Sequence, residues 1–334
     1  MRGPSTADGA DGAHGDTVAR VVRAARLVEH GRPLALERVR LGEPGADDLV
    51  VEMAFAGVNP VDRYGALGRV APDAPVPRTL GVEGIGRADG QWVVMHGHGL
   101  GTTRDGLWAD AAVVPRAACV AVPEGVEPSV AAALGVAGAT AYRTVVDLAK
   151  VTPDDRVLVL GASGGVGGMI VSLVHAIGAQ VWGQTGSGKK LRAIDESGAD
   201  RSVVADAGTL AAAVAELRPT VAFDPLGDGF TGAAVEALEP FGRLVLFGAS
   251  ADPDGRLPLL ALYRKHLTIL GYGGLIEPAE VVRRSVQGAL EAVRDGRMSV
   301  RIDSVLALED VNDALRRIAE RDVAGKLVLA LGER

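Results

Sequence analysis

The residues Gly161 to Gly167 read GASGGVG and lie between an apolar stretch, Arg156–Leu160 (RVLVL), and a segment of helical periodicity. Glycines let the main chain approach a pyrophosphate. A helix starting there adds free N–H groups and the positive end of its dipole. Glycine spacing alone is weak, because a tight strand-to-helix turn without a ligand looks the same. The flanking strand and helix supply the context that a dinucleotide site requires. About 20 residues on, an NAD site normally places an Asp or Glu against the ribose hydroxyls. Here the strand QVWGQ ends at Gln184 and TGSGKK, Thr185 to Lys190, follows without an acid. A carboxylate would repel a 2′-phosphate, whereas a neutral tip followed by Ser187, Lys189 and Lys190 attracts one. The lysines could also be a solvated helix start, although cations there oppose the helix dipole. The expected cofactor is NADPH, held by Gly161, Ser163, Gly164, Gly165, Val166, Gly167, Ser187 and Lys190.

Other reactive side chains are sparse. His96 and His98 form an H-x-H pair, but two ligands do not make a metal site and no third stands nearby. A glycine-rich loop with partly exposed histidines is expected. His30, His175 and His266 read as structural. The single cysteine, Cys119, rules out an internal disulfide and a multi-cysteine zinc site. It reads as a small core residue, in keeping with a reducing cytoplasm.

These groups need elements to position them. At 334 residues the chain exceeds one ordinary core, so two domains are expected. From Val18 to about Val126, short apolar stretches such as Asp48–Phe55, Gln91–Met95 and Trp108–Val114 read as strands of a turn-rich sheet. Ser129–Ala149 can form helix with an interruption at Gly135–Thr140. After the glycine turn, Val166, Met169, Ile170, Leu173, Val174 and Ile177 share one helix face, and Gly178 ends it. Strands at Gln180–Gly183, Arg201–Val204, Thr220–Phe223, Arg243–Phe247 and Leu267–Leu270 alternate with helices at Leu210–Leu217 and Gly232–Leu238. That alternation predicts an α/β fold with a doubly wound parallel sheet. Helices at Pro278–Asp295 and Glu309–Arg321 and a strand at Lys326–Leu331 close the chain.

Hydrophobic content of 48%, charged content of 23% and a net charge of -7 describe a globular protein without the basic face of a nucleic-acid binder. No apolar run reaches the roughly 18 residues of a membrane span, and membrane surfaces are disfavoured by the charge. Residues 1–17 lack a signal-peptide core and read as a disordered leader, so a cytoplasmic location is expected.

Five motifs occur in order: AGVNPVD at Ala56–Asp62, GVEGIG at Gly81–Gly86, ATAY at Ala139–Tyr142, GASGGVG, and GKLVL at Gly325–Leu329. Together they resemble the medium-chain dehydrogenase/reductase superfamily, from Arg20 to Leu331. The resemblance implies a GroES-like β-rich catalytic domain from 18–126 plus 274–334, with a Rossmann domain, 127–273, inserted into it. In zinc-dependent members a ligand cysteine stands where this chain has Asn59. A ligand histidine stands at Val82, and the remaining ligand falls near Val136–Ala137. Asn, Val and Ala cannot replace them. The cysteine-rich structural-zinc lobe is also absent, so no metal is expected.

GVNPVD followed by Tyr64 is similar to quinone oxidoreductases. The resemblance implies that Asn59 and Tyr64 line the hydride-transfer site. Taken alone, Asn59 could be a turn asparagine before proline and Tyr64 a packed aromatic. It further implies that Thr140, Phe247, Gly248 and Ala249 approach the nicotinamide, and it adds Lys326 to the cofactor contacts and Lys190 to the 2′-phosphate. A tyrosine often found after the GAD segment in NADPH-binding relatives is missing here.

The expected reaction is direct hydride transfer from NADPH to a quinone or activated enone in a dry cleft. Donors such as Tyr64 or backbone N–H groups would stabilise the developing oxyanion. No His/Asp relay is evident for the proton. An enoyl-thioester reductase is the rival reading. The tyrosine usual in such enzymes around Val70 is absent, while Val93–Ala111 resembles the acryloyl-CoA reductase group. A third possibility is an NADPH-binding sensor or structural protein with little turnover. The apolar candidate edge strand at Leu267–Leu270 matches the pairing strand of dimeric relatives, so a homodimer is expected.

Overall fold

The computed structural model describes residues 20–332, and the leader expected at 1–17 lies outside the described residues. Arg156–Val159 starts a six-stranded parallel sheet because its valines and leucine are buried on both faces. In space the strands run Arg201–Val204, Gln180–Thr185, Arg156–Val159, Val221–Asp224, Arg243–Leu246 and Thr268–Gly271. Numbered along the chain within this sheet, that order is 3-2-1-4-5-6, the doubly wound arrangement of a Rossmann domain. The winding reverses between Arg156–Val159 and Val221–Asp224, which opens a crevice at their carboxyl ends. The Gly161–Gly167 turn leaves the sheet at that crevice.

Helix Gly165–Ile177 carries the predicted apolar face, and Met169, Ile170, Leu173 and Val174 are buried. It stops at Gly178, whose φ of 90° is left-handed and whose N–H donates to His175 O at 3.0 Å. The opposite face of the sheet buries Leu158, Leu160, Trp182 and Leu244 against Leu210 and Leu217.

Both ends of the chain share a second sheet. Its strands run Ile302–Ala307, Lys326–Ala330, Asp48–Val58, Glu83–Ala88, Gln91–His96 and Cys119–Ala121, with Ala111–Pro115 also paired to Asp48–Val58. Two registers bring distant residues together. Leu327 lies opposite Val58, which sets Lys326 beside Asn59. Phe55 lies opposite Ile85, which carries Glu83 toward Gly57. The result is a GroES-like β-rich domain joined to the Rossmann domain.

Several local expectations change. Ser129–Ala149 is helical but includes wide-turn stretches at Leu134–Gly138, which holds both glycines of the segment, and at Arg143–Leu148. The helix expected over Leu210–Leu217 shortens to Leu210–Ala213. The strand expected at Trp108–Val114 is Ala111–Pro115, because Leu107 and Trp108 donate instead to the Gly81 and Leu80 carbonyls. Helices Pro60–Ala66 and Leu259–Arg264 and strand Ile302–Ala307 have no counterpart in the sequence expectations. His96 is buried at the end of strand Gln91–His96, so only His98 fits the expected exposed loop. Cys119 is buried as expected, and burial pushes its thiol up to about 11. Among the described residues no helix is long and apolar enough to cross a membrane.

Candidate active site

Asn59 precedes Pro60 and caps helix Pro60–Ala66 from an extended conformation. Asp62 holds the turn closed: its Oδ2 accepts from the Asn59 N–H at 2.9 Å and its Oδ1 from the Val82 N–H at 3.0 Å. Next to this turn Lys326 Nζ donates to Asn59 Oδ1 at 2.6 Å, Glu83 Oε1 at 2.8 Å and Val58 O at 3.2 Å. All three ammonium protons are therefore used. Asn59 Nδ2 donates to Glu83 Oε1 at 2.7 Å, and Glu83 Oε2 accepts from the Val136 N–H at 2.6 Å. Lys326 and Asn59 are each 4% exposed and Glu83 is fully buried, so this is a desolvated ion pair with its bonds satisfied. Glycine at 57 makes room for it, since a Cβ there would lie 2.1 Å from Glu83 Oε1 and 2.9 Å from Ala132 O.

The amide of Asn59 is oriented by this pair. Its oxygen faces the ammonium and one N–H faces the carboxylate, which leaves its second N–H without a partner among the described residues.

Burial pushes the Asp62 carboxyl up to about 7, and the Glu83 charge adds to the rise. The two backbone bonds and Lys326 oppose it. An acid whose pKa is raised in the folded state contributes stability that is complete below the unfolded value near 4 and is lost as pH climbs through 7. Unfolding free energy should therefore fall between pH 4 and 7, by on the order of 4 kcal/mol if Asp62 acted alone. Urea unfolding of Asp62→Asn should show that slope flattened.

The glycine turn supplies the other half of the site. Gly161 adopts a left-handed φ of 59°, and a Cβ on Gly167 would lie 2.5 Å from Gly161 O. Gln184 is buried and braces the turn: its Oε1 accepts from the Gly161 N–H and its Nε2 donates to Ala205 O. The N–H groups of Val166 and Gly167 have no backbone partner among the described residues, as a helix start dictates, while a parallel bridge ties Gly164 to Gly325. Ser163 is buried with its Oγ 3.2 Å from Thr185 Oγ1. Lys326 links the two halves, because its stem lies where a Cβ on Gly165 would be, 2.5 Å from Cδ.

Thr140 Oγ1 donates to Val136 O at 2.7 Å, one turn beyond the amide that binds Glu83. Phe247, Gly248 and Ala249 follow strand Arg243–Leu246 at the carboxyl edge of the parallel sheet. Ser187 is half-buried after strand Gln180–Thr185, which runs one residue past the expected Gln184. Lys190 Nζ donates to Arg321 O at 2.5 Å and Val323 O at 2.9 Å, so its charge is latched to the other domain. Tyr64 is half-buried and its hydroxyl has no hydrogen bond among the described residues. The structure thus gathers Asn59, Lys326, Thr140 and the glycine turn around Glu83, a residue of the GVEGIG motif that sequence gives no role. Sequence reasoning also misses Asp62 and Tyr272, whose phenol is raised by burial, with Thr140 opposing the rise.

Beside this cluster lies a cavity of about 520 Å³, mostly apolar, with Val82, His96, His98, Glu277 and Arg283 in its wall. That size suits a small organic molecule.

Residues 165–316 match the family described as zinc-binding dehydrogenase. The synaptic vesicle membrane protein VAT-1 homolog of Danio rerio is 28% identical over 87% of this chain and 66% of its own length. Quinone oxidoreductase-like protein 2 of Mus musculus is 27% identical over 92% of each chain. A crystal structure of an NAD-dependent alcohol dehydrogenase superposes with a TM-score of 0.84 at 27% identity, covering 93% of this chain and 100% of that one. Residues 165–316 thus carry the family match, and the chain as a whole is similar to medium-chain dehydrogenases/reductases of the quinone oxidoreductase-like branch.

In zinc-dependent members of this superfamily the metal ligands fall at the positions of Asn59, Val82 and Val136–Ala137. In this chain those positions surround Glu83, and the Lys326 ammonium lies among them. Among the described residues no three His, Cys, Asp or Glu side chains are grouped to hold a metal. One carboxylate already paired with an ammonium does not fit a Zn²⁺ site, which needs three or four His, Cys or carboxylate donors.

Proposed function

We propose that this protein is a zinc-independent, NADPH-dependent oxidoreductase that transfers hydride to a quinone or an activated enone. The observation that carries the reading is the placement of Lys326: its stem rests on the dinucleotide turn and its ammonium on Asn59 and Glu83. Cofactor and substrate sites therefore share one side chain, and a cation stands among the positions that carry zinc ligands in zinc-dependent members of the superfamily.

The free N–H groups of Val166 and Gly167 hold the pyrophosphate, with Gly161, Ser163, Gly164 and Gly165 shaping the turn. Thr185 and Ser187 form an acid-free tip, and Lys189 places positive charge at its foot, which favours a 2′-phosphate; Lys190, bonded to the Arg321 and Val323 carbonyls, would have to turn from them to reach it. Thr140, Phe247, Gly248 and Ala249 line the nicotinamide end. NADPH, when bound, supplies the hydride. The free Asn59 N–H and the unbonded Tyr64 hydroxyl hold the substrate oxygen on which charge develops. Lys326 and Glu83 keep the Asn59 amide from flipping, so its donor is already aimed before the substrate arrives.

One observation favours enoyl thioesters as a second acceptor class. Part of the Val93–Ala111 segment, which resembles acryloyl-CoA reductases, lines the cavity through His96–Leu100, Thr102 and Thr103. NADPH oxidation with a panel of benzo- and naphthoquinones beside crotonyl- and acryloyl-CoA separates the two. Turnover of quinones with NADPH preferred to NADH is the expected result. Tight NADPH binding with no oxidation by any acceptor would instead identify a sensor or structural protein.

A homodimer fits the surface next to edge strand Thr268–Gly271, where Leu259, Leu260, Tyr263, Leu275 and Ile276 are exposed. Light scattering should give about twice the 34.3 kDa chain mass, and a monomer would refute this assembly. With its one cysteine buried and reduced, the protein suits a cytoplasmic location.

A further inference from the structure

We propose that His96 is a specificity residue that selects substrates bearing a hydroxyl group, accepting a hydrogen bond from that hydroxyl through Nε2. The inference rests on reading the cavity as the acceptor site.

His96 ends strand Gln91–His96 and lies opposite Glu83 in the sheet register. Its Nδ1 is 2.9 Å from Val82 O. A carbonyl oxygen only accepts, so Nδ1 carries the proton and, in the neutral ring, Nε2 is a bare acceptor. The ring stays neutral because burial lowers its pKa below the ordinary histidine value, with His98 adding to the fall and the Val82 bond and Glu83 opposing it. Glu83 reaches the ring only as a charge, since its oxygens are taken by Lys326, Asn59 and Val136. The charged groups in the cavity wall are turned elsewhere: Glu277 pairs with Arg143, and Arg283 donates to Cys119 O.

Nε2 has no hydrogen bond among the described residues, yet it is not sealed away as His30 Nε2 is, and the ring forms part of the cavity wall. The cavity wall is mostly apolar, with Val82, Leu100, Val120 and Val286 in it beside the polar Thr102, Thr103 and His98. A fixed acceptor in an apolar cavity favours a ligand that brings one donor and penalises the isostere that lacks it, because the lost bond leaves both partners dry. By sequence this histidine is only half of an incomplete metal pair. Its tautomer gives it a different use.

The test pairs 2-hydroxymethyl-1,4-naphthoquinone with its methyl ether, in which the hydroxyl proton is replaced by a methyl group. Wild-type protein should favour the hydroxyl compound about tenfold in kcat/KM. His96→Leu should abolish that preference, mainly through KM, while still turning over unsubstituted 1,4-naphthoquinone. His96→Asn, which keeps a donor for Val82 O and an acceptor for the ligand, should restore part of the preference. Calorimetry on the NADP⁺-saturated wild type provides a readout that needs no turnover. Tighter binding of the hydroxyl compound without NADPH oxidation would defeat the proposed reaction and leave the role of His96 standing. Equal kcat/KM for the two compounds in wild type, or an undiminished preference in His96→Leu, would overturn this role and leave the reaction intact. Binding of neither compound overturns it as well.

Discussion

Replacing Lys326 by methionine should destabilise the folded protein by about 3–5 kcal/mol, the usual cost of leaving one partner of a buried ion pair alone. Glu83 is fully buried and would keep only the Asn59 and Val136 N–H groups as partners. For a protein of this size that is a fall in melting temperature on the order of 10 °C. The companion substitution decides whether the pair itself is responsible. In Lys326→Met combined with Glu83→Gln no buried charge is stranded, so most of the lost stability should return. Activity should not return with it, because the Asn59 amide loses the ammonium that fixes its oxygen. A single variant as stable as wild type would mean that Glu83 takes up a proton at little cost. A double variant with full activity would mean that Asn59 needs no orientation.

Gly167→Ala should weaken NADPH binding by roughly 100-fold, about 2.7 kcal/mol, a loss comparable to one charge-assisted backbone bond. The added Cβ would stand 2.5 Å from Gly161 O and 2.8 Å from Ala162 Cα, both main-chain atoms, so the turn itself must move. Fluorescence titration measures the loss, and circular dichroism reports whether the sheet survives. Gly165→Ala makes an instructive contrast. Its Cβ would meet the Cδ and Cγ of Lys326, so the stem of that side chain must shift while its ammonium is held by three bonds. The expected outcome there is a smaller loss of NADPH affinity coupled to a loss of turnover, since moving the stem disturbs the ammonium.

Much of the Rossmann half is legible in the sequence. RVLVL, the glycine turn and the 3.6-residue apolar period of Gly165–Ile177 are local signals, and the strands appear within a residue or two of their expected places. Boundaries fail where tertiary contacts outrank propensity, as at Trp108, whose N–H is committed to a loop carbonyl. The site is half legible. AGVNPVD points to Asn59, but the reason Asn59 is fixed depends on Lys326, 267 residues away along the chain. That contact follows from the antiparallel pairing of Leu327 with Val58, a register that no local pattern encodes. By resemblance Lys326 is a cofactor contact; its stem does lie on the turn of the neighbouring domain, while its charge points into its own β-rich domain. Asp62 looks like an ordinary helix-start acid, and only its burial between two backbone segments explains the raised carboxyl. His96 carries no signal beyond its spacing to His98.

The most direct measurement is the rate of NADPH oxidation with a quinone acceptor before and after exhaustive treatment with a zinc chelator, alongside the metal content of the purified protein. A buried lysine in the metal's place predicts no stoichiometric zinc and an unchanged rate. Loss of turnover on chelation, recovered by adding back Zn²⁺, would contradict it.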